Sequence, residues 1–184
     1  ANTTLYPKLP YNPGKDLVGV SLMGISPLVA AVSNNAPFKT TRELIAYAKA
    51  HPGKVSFGSS GSGSSAHLTT ELMKLLTKTD MTHVPYKGAA PALTDLMAGT
   101  IQAVIDQTVT MLPLHKDGRV RALAVSASAR VPQSPDVPTF AEAGLPAFDL
   151  AIWNGVVAPK GTPAAELRRI EQALSAAVAE PAFK

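Results

Sequence analysis

The stretch FGSSGSGSSAHL, Phe57 to Leu68, gathers groups suited to chemistry, since eight of its twelve residues are glycine or serine. Glycine permits positive φ and lets backbone approach a ligand closely. Serine supplies hydroxyl donors. The segment leaves a short apolar strand, VSFG, and enters AHLTTELMKLL. The leucine spacing there predicts a helix from about Ser65 to Leu76, with Leu68, Leu72, Leu75 and Leu76 on one side. A helix start offers N–H groups without intrahelical partners and the positive end of the dipole. Loop and helix together suit a carboxylate or a phosphate. The candidate ligand-binding residues are Ser59, Ser60, Gly61, Ser62, Gly63, Ser64 and Ser65.

Other uses of such a stretch fail on spacing. A nucleophile elbow needs G-x-S-x-G, and after Gly58 and Ser60 it is Ser62 that stands where a glycine is required. A Walker loop ends in G-K-[ST], and no lysine occurs here. The dinucleotide fingerprint breaks after Gly61-Ser62-Gly63, which is followed by Ser64-Ser65-Ala66. A flexible linker would join domains, whereas this stretch joins a strand to a helix without slack. The expected ligand is a small anion and not a nucleotide.

THVPYKGAAPALTDL (82–96) repeats the design of strand, short loop and helix start. Gly88 can bring backbone close, Lys87 either adds positive charge at the same mouth or is simply solvated, and Tyr86 either lines it or packs. Asp106, at the end of the strand AVID, faces the ligand, caps the following helix, or does both. His67, in the first turn of the loop's helix, lines the pocket or supports the loop. The other histidines are His51, His83 and His115; none has metal-ligand spacing, and no HExxH occurs. Trp153 and Asn154 lie in an apolar strand, where a tryptophan belongs to the core or walls a pocket. No acid/base pair and no supported Ser–His–Asp order stands out. The residues point to holding a ligand, with no catalytic residue, metal or cofactor expected.

The elements that must position these residues follow from periodicity and punctuation. LVGVSLMGI (17–25) and LVAAVS (28–33) read as two strands broken at Ser26-Pro27. Thr40 and Glu43 have capping-box spacing for a helix that buries Leu44, Tyr47 and Ala48 and stops at Pro52-Gly53. Strands follow at 55–58, 81–86, 102–106 and 120–127, with helices between them. Thr139 and Glu142 predict a brief helix before Gly144, 148–158 a long strand, and AAELRRIEQALSAAVA a last helix opened by Thr162-Pro163. Strands alternating with helices from Val55 to Ala127 imply crossover units and a largely parallel sheet.

The chain has 184 residues, 46% hydrophobic and 16% charged, a mix that fits a folded protein. Its 17 basic and 13 acidic residues give +4, but the lysines and arginines are scattered, which argues against nucleic-acid binding. The absence of cysteine excludes disulfides and thiolate metal sites. No apolar run is long enough to span a bilayer, and ANTTLYPKLPYNPG is not a signal peptide, so a removed leader or a piece of a longer protein is expected.

In order and spacing, LYPKLPYNPGKD, GSSGSGSSAHL, HVPYKGAAPALTDLMAG, VRALAVSASAR, SPDVPTFAEAGLP and IWNGVVAPKGTP resemble the receptors of tripartite tricarboxylate transporters, the Bug family. The resemblance covers essentially the whole chain. It implies a periplasmic solute-binding protein of the α/β, two-lobed type II (Venus flytrap) fold. Such a protein holds a small carboxylate between its lobes and delivers it to membrane permease subunits. By position it implies that Ser59–Ser65, Tyr86, Lys87, Gly88 and Asp106 line the second lobe's side of that site. It also implies a fragment: a second lobe at 27–148, flanked by pieces of the first lobe and hinge at 1–26 and 149–184. First-lobe surface left uncovered is expected to drive homodimerisation or strand exchange. Two alternatives belong to other classes. One is an enzyme acting on a phosphorylated or acyl small molecule, with only His67 and Asp106 as bases near the loop; the other is the ligand-sensing domain of a regulator.

Overall fold

The structure is a computed structural model that describes every residue except Ala1, Pro7, Pro146, Ala147, Asp149 and Lys184. Its elements are α1 (Asn2–Leu5), α2 (Pro13–Asp16), β1 (Leu17–Val32), α3 (Thr41–Ala50), β2 (Ser56–Ser59), α4 (Ser65–Thr77), β3 (Thr82–Pro85), α5 (Ala89–Ala98), β4 (Ala103–Gln107), α6 (Thr108–Lys116), β5 (Arg121–Val125), β6 (Ala151–Pro159) and α7 (Ala164–Ala179). A single-turn 3-10 helix, Pro181–Phe183, closes the order. The chain divides into two units, Ser26–Ile152 and the pair of segments Ala1–Ile25 and Trp153–Lys184.

In the larger unit the strand order is β3-β2-β4-β1-β5. β2 is parallel to β3 and β4, while β1 is antiparallel to both β4 and β5. The crossover expectation holds for β2, β3 and β4. It fails to foresee that β1 inserts between β4 and β5, running against both. β1 is also one continuous strand rather than two. Pro27 precedes the first rung to β4, at Leu28, and the first to β5, at Val29, so neither of these two ladders needs its missing N–H.

The alternation along β1 builds a core on each face of the sheet. Leu28, Ala30 and Val32 join Leu44 and Ala48 of α3, Phe57 of β2 and Met73 of α4. Val29 and Ala31 join Leu96 of α5, Val104 of β4 and Met111 and Leu112 of α6. A strand covered on both faces must be apolar throughout, which is why these runs read as continuous hydrophobic stretches.

α4 turns a different face inward from the one its leucines predict. Ala66, Thr69, Thr70, Met73 and Thr77 are buried, whereas Leu75 and Leu76 are exposed. Threonine is tolerated inside because its hydroxyl finds a partner on the helix itself: Thr70 Oγ1 donates to Ala66 O at 2.9 Å and Thr77 Oγ1 to Met73 O at 2.6 Å. At Thr139 the capping box forms, with Thr139 N–H bonded to Glu142 Oε2 (2.8 Å) and Glu142 N–H to Thr139 Oγ1 (3.2 Å). The expected helix is only a turn, because Gly144 takes φ +97° one residue past Ala143 and ends it.

In the smaller unit, Asn12 caps α2 by accepting from Gly14 N–H at 3.0 Å, and Lys160 N–H donates to Asp16 O at 2.7 Å. α7 has no buried residue. Trp153, expected in a core or a pocket wall, is 68% exposed and Asn154 is exposed too.

Candidate functional site

β2, β3 and β4 run parallel and end side by side, and each passes directly into a loop and helix: β2 into α4, β3 into α5, β4 into α6. The carboxyl edge of these strands therefore carries three helix starts. In open α/β sheets that edge is where ligands bind. The register sets the neighbours. Ser59 lies opposite Pro85, and Tyr86 N–H donates to Ser59 O at 3.0 Å, which lays the Tyr86–Gly88 loop along the Gly/Ser loop. Gly58 allows this approach, because a Cβ there would run into Ile101, Tyr86 and Val104.

The candidate residues divide by role. Ser60, Ser62 and Ser65 are exposed on the loop. Gly61 (φ +134°) and Gly63 (φ +81°) take conformations that residues with a Cβ rarely adopt. Ser64 is the N-cap of α4, its Oγ accepting from His67 N–H at 3.3 Å. Gly88 (φ +112°) is the N-cap of α5 and brings no side-chain bond, so the first turn of that helix is left open. Lys87 beside it is exposed.

Four candidates are placed differently from a simple donor list. Ser59 is fully buried: its Oγ donates to Gly61 O (3.1 Å), accepts from Gly61 N–H (3.2 Å) and sits 2.6 Å from His83 Nε2. Its hydroxyl shapes the loop and does not face solvent. Tyr86 spends its hydroxyl on Asp95 Oδ2, at 2.6 Å. Burial first and this bond second push the phenol up to about 12, so it stays protonated and points into the scaffold. Asp106 is half-buried, and burial pushes its carboxyl up, against the Gln107 N–H that it accepts at 2.8 Å. The N-cap of α6 is Gln107 and not Asp106. His67 supports the loop: its Nδ1 accepts from Gly63 N–H at 3.1 Å.

His83 is the residue that spacing along the chain does not single out. It lies opposite Phe57 in the β2–β3 register, stacked 4.9 Å from that ring and 4.0 Å from His67. Burial, then the charge of His67, hold its imidazole below the ordinary value. Its signal is non-local, since only the pairing of two strands brings it beneath Ser59. Among the described residues no group of histidine and acidic side chains is arranged to hold a metal.

A cavity of about 670 Å³ lies elsewhere, at the starts of α3 and β5, lined by Thr41, Arg42, His115, Arg121 and Asp136 among others. Of its lining residues, Asp136 is paired with His115 at 3.1 Å, and Glu142 with Arg130, which does not line the cavity, at 2.9 Å. It shares no residue with the loop edge.

Comparison with known proteins places this arrangement among relatives. The family described as "Tripartite tricarboxylate transporter family receptor" matches residues 1–184. Protein BugT of Bordetella pertussis is 40% identical over 184 residues, covering 98% of this chain and 56% of BugT. MatC of Rhodopseudomonas palustris, solved with bound malate, superposes with a TM-score of 0.93 at 35% identity, covering 99% of this chain and 61% of MatC. An R. palustris protein solved with adipate gives 0.90 at 35% identity, over 97% of this chain and 60% of that one. The chain thus spans about half the length of the curated relatives it matches. The fold is that of a partial type II periplasmic-binding-protein domain, and the chain belongs to the tripartite tricarboxylate transporter receptor family.

Proposed function

We propose that this chain carries one wall of the carboxylate site of a periplasmic solute-binding receptor. That receptor takes up a small di- or tricarboxylate and passes it to the permease subunits of a tripartite tricarboxylate transporter. The observation that carries this reading is the convergence of the Gly/Ser loop and the starts of α4, α5 and α6 on one sheet edge. Helix starts present N–H groups and positive dipole ends to an anion. Ser60 and Ser65 add exposed hydroxyls, and Lys87 adds a charge beside the open first turn of α5. Malate and adipate, bound in the two R. palustris relatives, are the ligand class this chemistry suits.

The same geometry supports holding over turnover. The bases at this edge are committed: His67 Nδ1 to Gly63 N–H, His83 Nε2 to Ser59 Oγ, and Asp106 to Gln107 N–H in a setting that disfavours its charge. No helix among the described residues is long and apolar enough to cross a membrane. The domain reading assigns the larger unit to the second lobe and the outer segments to pieces of the first and the hinge. It gives the exposed Leu22, Ile25 and Val157 as the surface for self-association.

The test is titration of the 15N-labelled chain with malate and with adipate. The amides of Ser60–Ser65, Lys87 and Gly88 are expected to shift together and saturably. Lys87→Ala is expected to weaken that binding by about 0.5–1 kcal/mol, more at low salt. Saturable shifts confined to another face of the molecule would refute the assignment.

A further inference from the structure

We propose that His67 is a positioning residue for the Gly/Ser loop. It holds the loop through a bare Nδ1, so that a proton taken up on that nitrogen releases the loop and weakens anion capture. The inference rests on the carboxylate-binding reading of the same loop.

Gly63 N–H donates to His67 Nδ1 at 3.1 Å, so that nitrogen carries no proton and the neutral ring keeps its proton on Nε2. Nε2 faces Glu71 Oε1 at 3.9 Å, which agrees with a proton there. An imidazolium would set Nδ1–H against Gly63 N–H, donor against donor, and the bond must open. The ring cannot swing aside to avoid this, because it is stacked on His83 at 4.0 Å, with Phe57 beyond at 6.5 Å. His83 differs. Its contact is through Nε2 to Ser59 Oγ, and a second proton on Nδ1 leaves that contact in place.

The charged and titratable groups around His67 lie on α4 and β3. On α4 itself, Glu71 favours the imidazolium; Lys74, bonded to Glu71 at 2.8 Å and 5.5 Å over the Phe57 ring, opposes it. On β3, His83 opposes it when charged. On β2, Ser59 and Phe57 bring no charge. An imidazolium at this position is offset first by the carboxylate of Glu71, so its pull on a ligand is small beside the loss of the loop bond. That loss matters because Gly61 and Gly63 both occupy positive-φ conformations. Without the tether, Gly63 samples widely and must be ordered again at capture, while Gly61 stays held by Ser59 Oγ. Re-ordering about one residue corresponds to roughly tenfold weaker binding.

The experiment uses the whole chain, 15N-labelled, followed from about pH 8 to about pH 5.5, the range in which histidine titrates. Long-range ring correlations are expected to show His67 with Nδ1 bare at the upper end, and the Gly63 amide is expected to move with the same midpoint as the His67 ring. His67→Asn supplies Oδ1 in place of Nδ1 as an acceptor that does not titrate, and its Gly63 amide is expected to stay flat. His67→Phe keeps a ring in the stack without an acceptor, and its Gly63 amide is expected at the released position at every pH. Malate and adipate are expected to bind the wild type roughly tenfold more weakly at the lower pH than at the upper. In His67→Asn, which sees the same change in ligand protonation, the affinity is expected to lose that extra pH dependence. A proton found on Nδ1 at about pH 8, or a Gly63 titration that persists in His67→Asn, would overturn the proposal. So would malate and adipate affinities whose pH dependence is the same in both proteins. If Gly63 follows His67 but neither acid binds at any pH, the tether is supported and the carboxylate reading falls.

Discussion

Replacing Ser59 by alanine is expected to cost stability before it costs binding. The hydroxyl is fully buried and serves three contacts at once, to Gly61 O, Gly61 N–H and His83 Nε2. Alanine removes one oxygen and leaves three polar groups without that partner. A group left unsatisfied in the interior costs about 1–3 kcal/mol. Gly61, partly exposed, can turn to water, so the His83 side of the site dominates and a total of about 2–3 kcal/mol follows. With an unfolding entropy of about 2 cal/mol/K per residue, that lowers the melting temperature by about 6 °C. Thermal melts by circular dichroism and urea midpoints measure it. Ser60→Ala is the control: Ser60 is exposed one position along, and its loss is expected to stay within about 0.5 kcal/mol. Equal costs at the two positions, or a Ser59→Ala cost inside that margin, would refute the division of these serines into scaffold and surface.

Three more outcomes follow from the same geometry. Gly61→Ala forces a side chain into φ +134°, and a cost of about 1–3 kcal/mol is expected in urea unfolding, with loop amides displaced. The pH dependence follows from His83: burial first and His67 second hold its folded-state value below 6.5, so the unfolded chain binds the proton more readily. Stability is therefore expected to be full above about pH 6.5 and to fall as the pH drops through the folded value, and His83→Gln, which keeps a donor at the Nε2 position, is expected to flatten that slope in urea midpoints taken across the range. Leu75→Ser is expected to change stability by no more than about 0.5 kcal/mol because Leu75 is 74% exposed, whereas Met73→Ala, 2% exposed, is expected to cost about 2–5 kcal/mol in the same melts.

What was legible in the sequence was local. The strand running into the loop, the helix after Ser64 and the glycines between them announce themselves within a few residues, and each lies within a residue of where the spacing puts it. Features decided between distant segments were not legible. The buried face of α4 is one. Leucine periodicity points at Leu75 and Leu76, but the sheet accepts threonines whose hydroxyls are absorbed by the preceding turn, so polarity ceases to mark the outside. The direction of β1 is another, since antiparallel insertion between β4 and β5 depends on partners about seventy to a hundred positions away, as the pairs Val29–Asp106 and Val29–Val125 show.

The Gly/Ser loop shows why composition alone reads such a site too generously. Counting hydroxyls treats every serine between Ser59 and Ser65 as a hand offered to the ligand. The fold claims Ser64 to cap α4 and Ser59 to bind His83, twenty-four residues away. That second claim exists only because the β2–β3 register sets His83 beside Phe57 and under the loop. A chain of glycines and serines with nothing beneath it would be the flexible linker its composition suggests. The stacked rings of Phe57, His83 and His67, with Nδ1 holding Gly63 N–H, turn the same residues into a fixed edge. A fixed edge is what anion capture requires, because a loop already ordered does not have to spend binding energy on ordering.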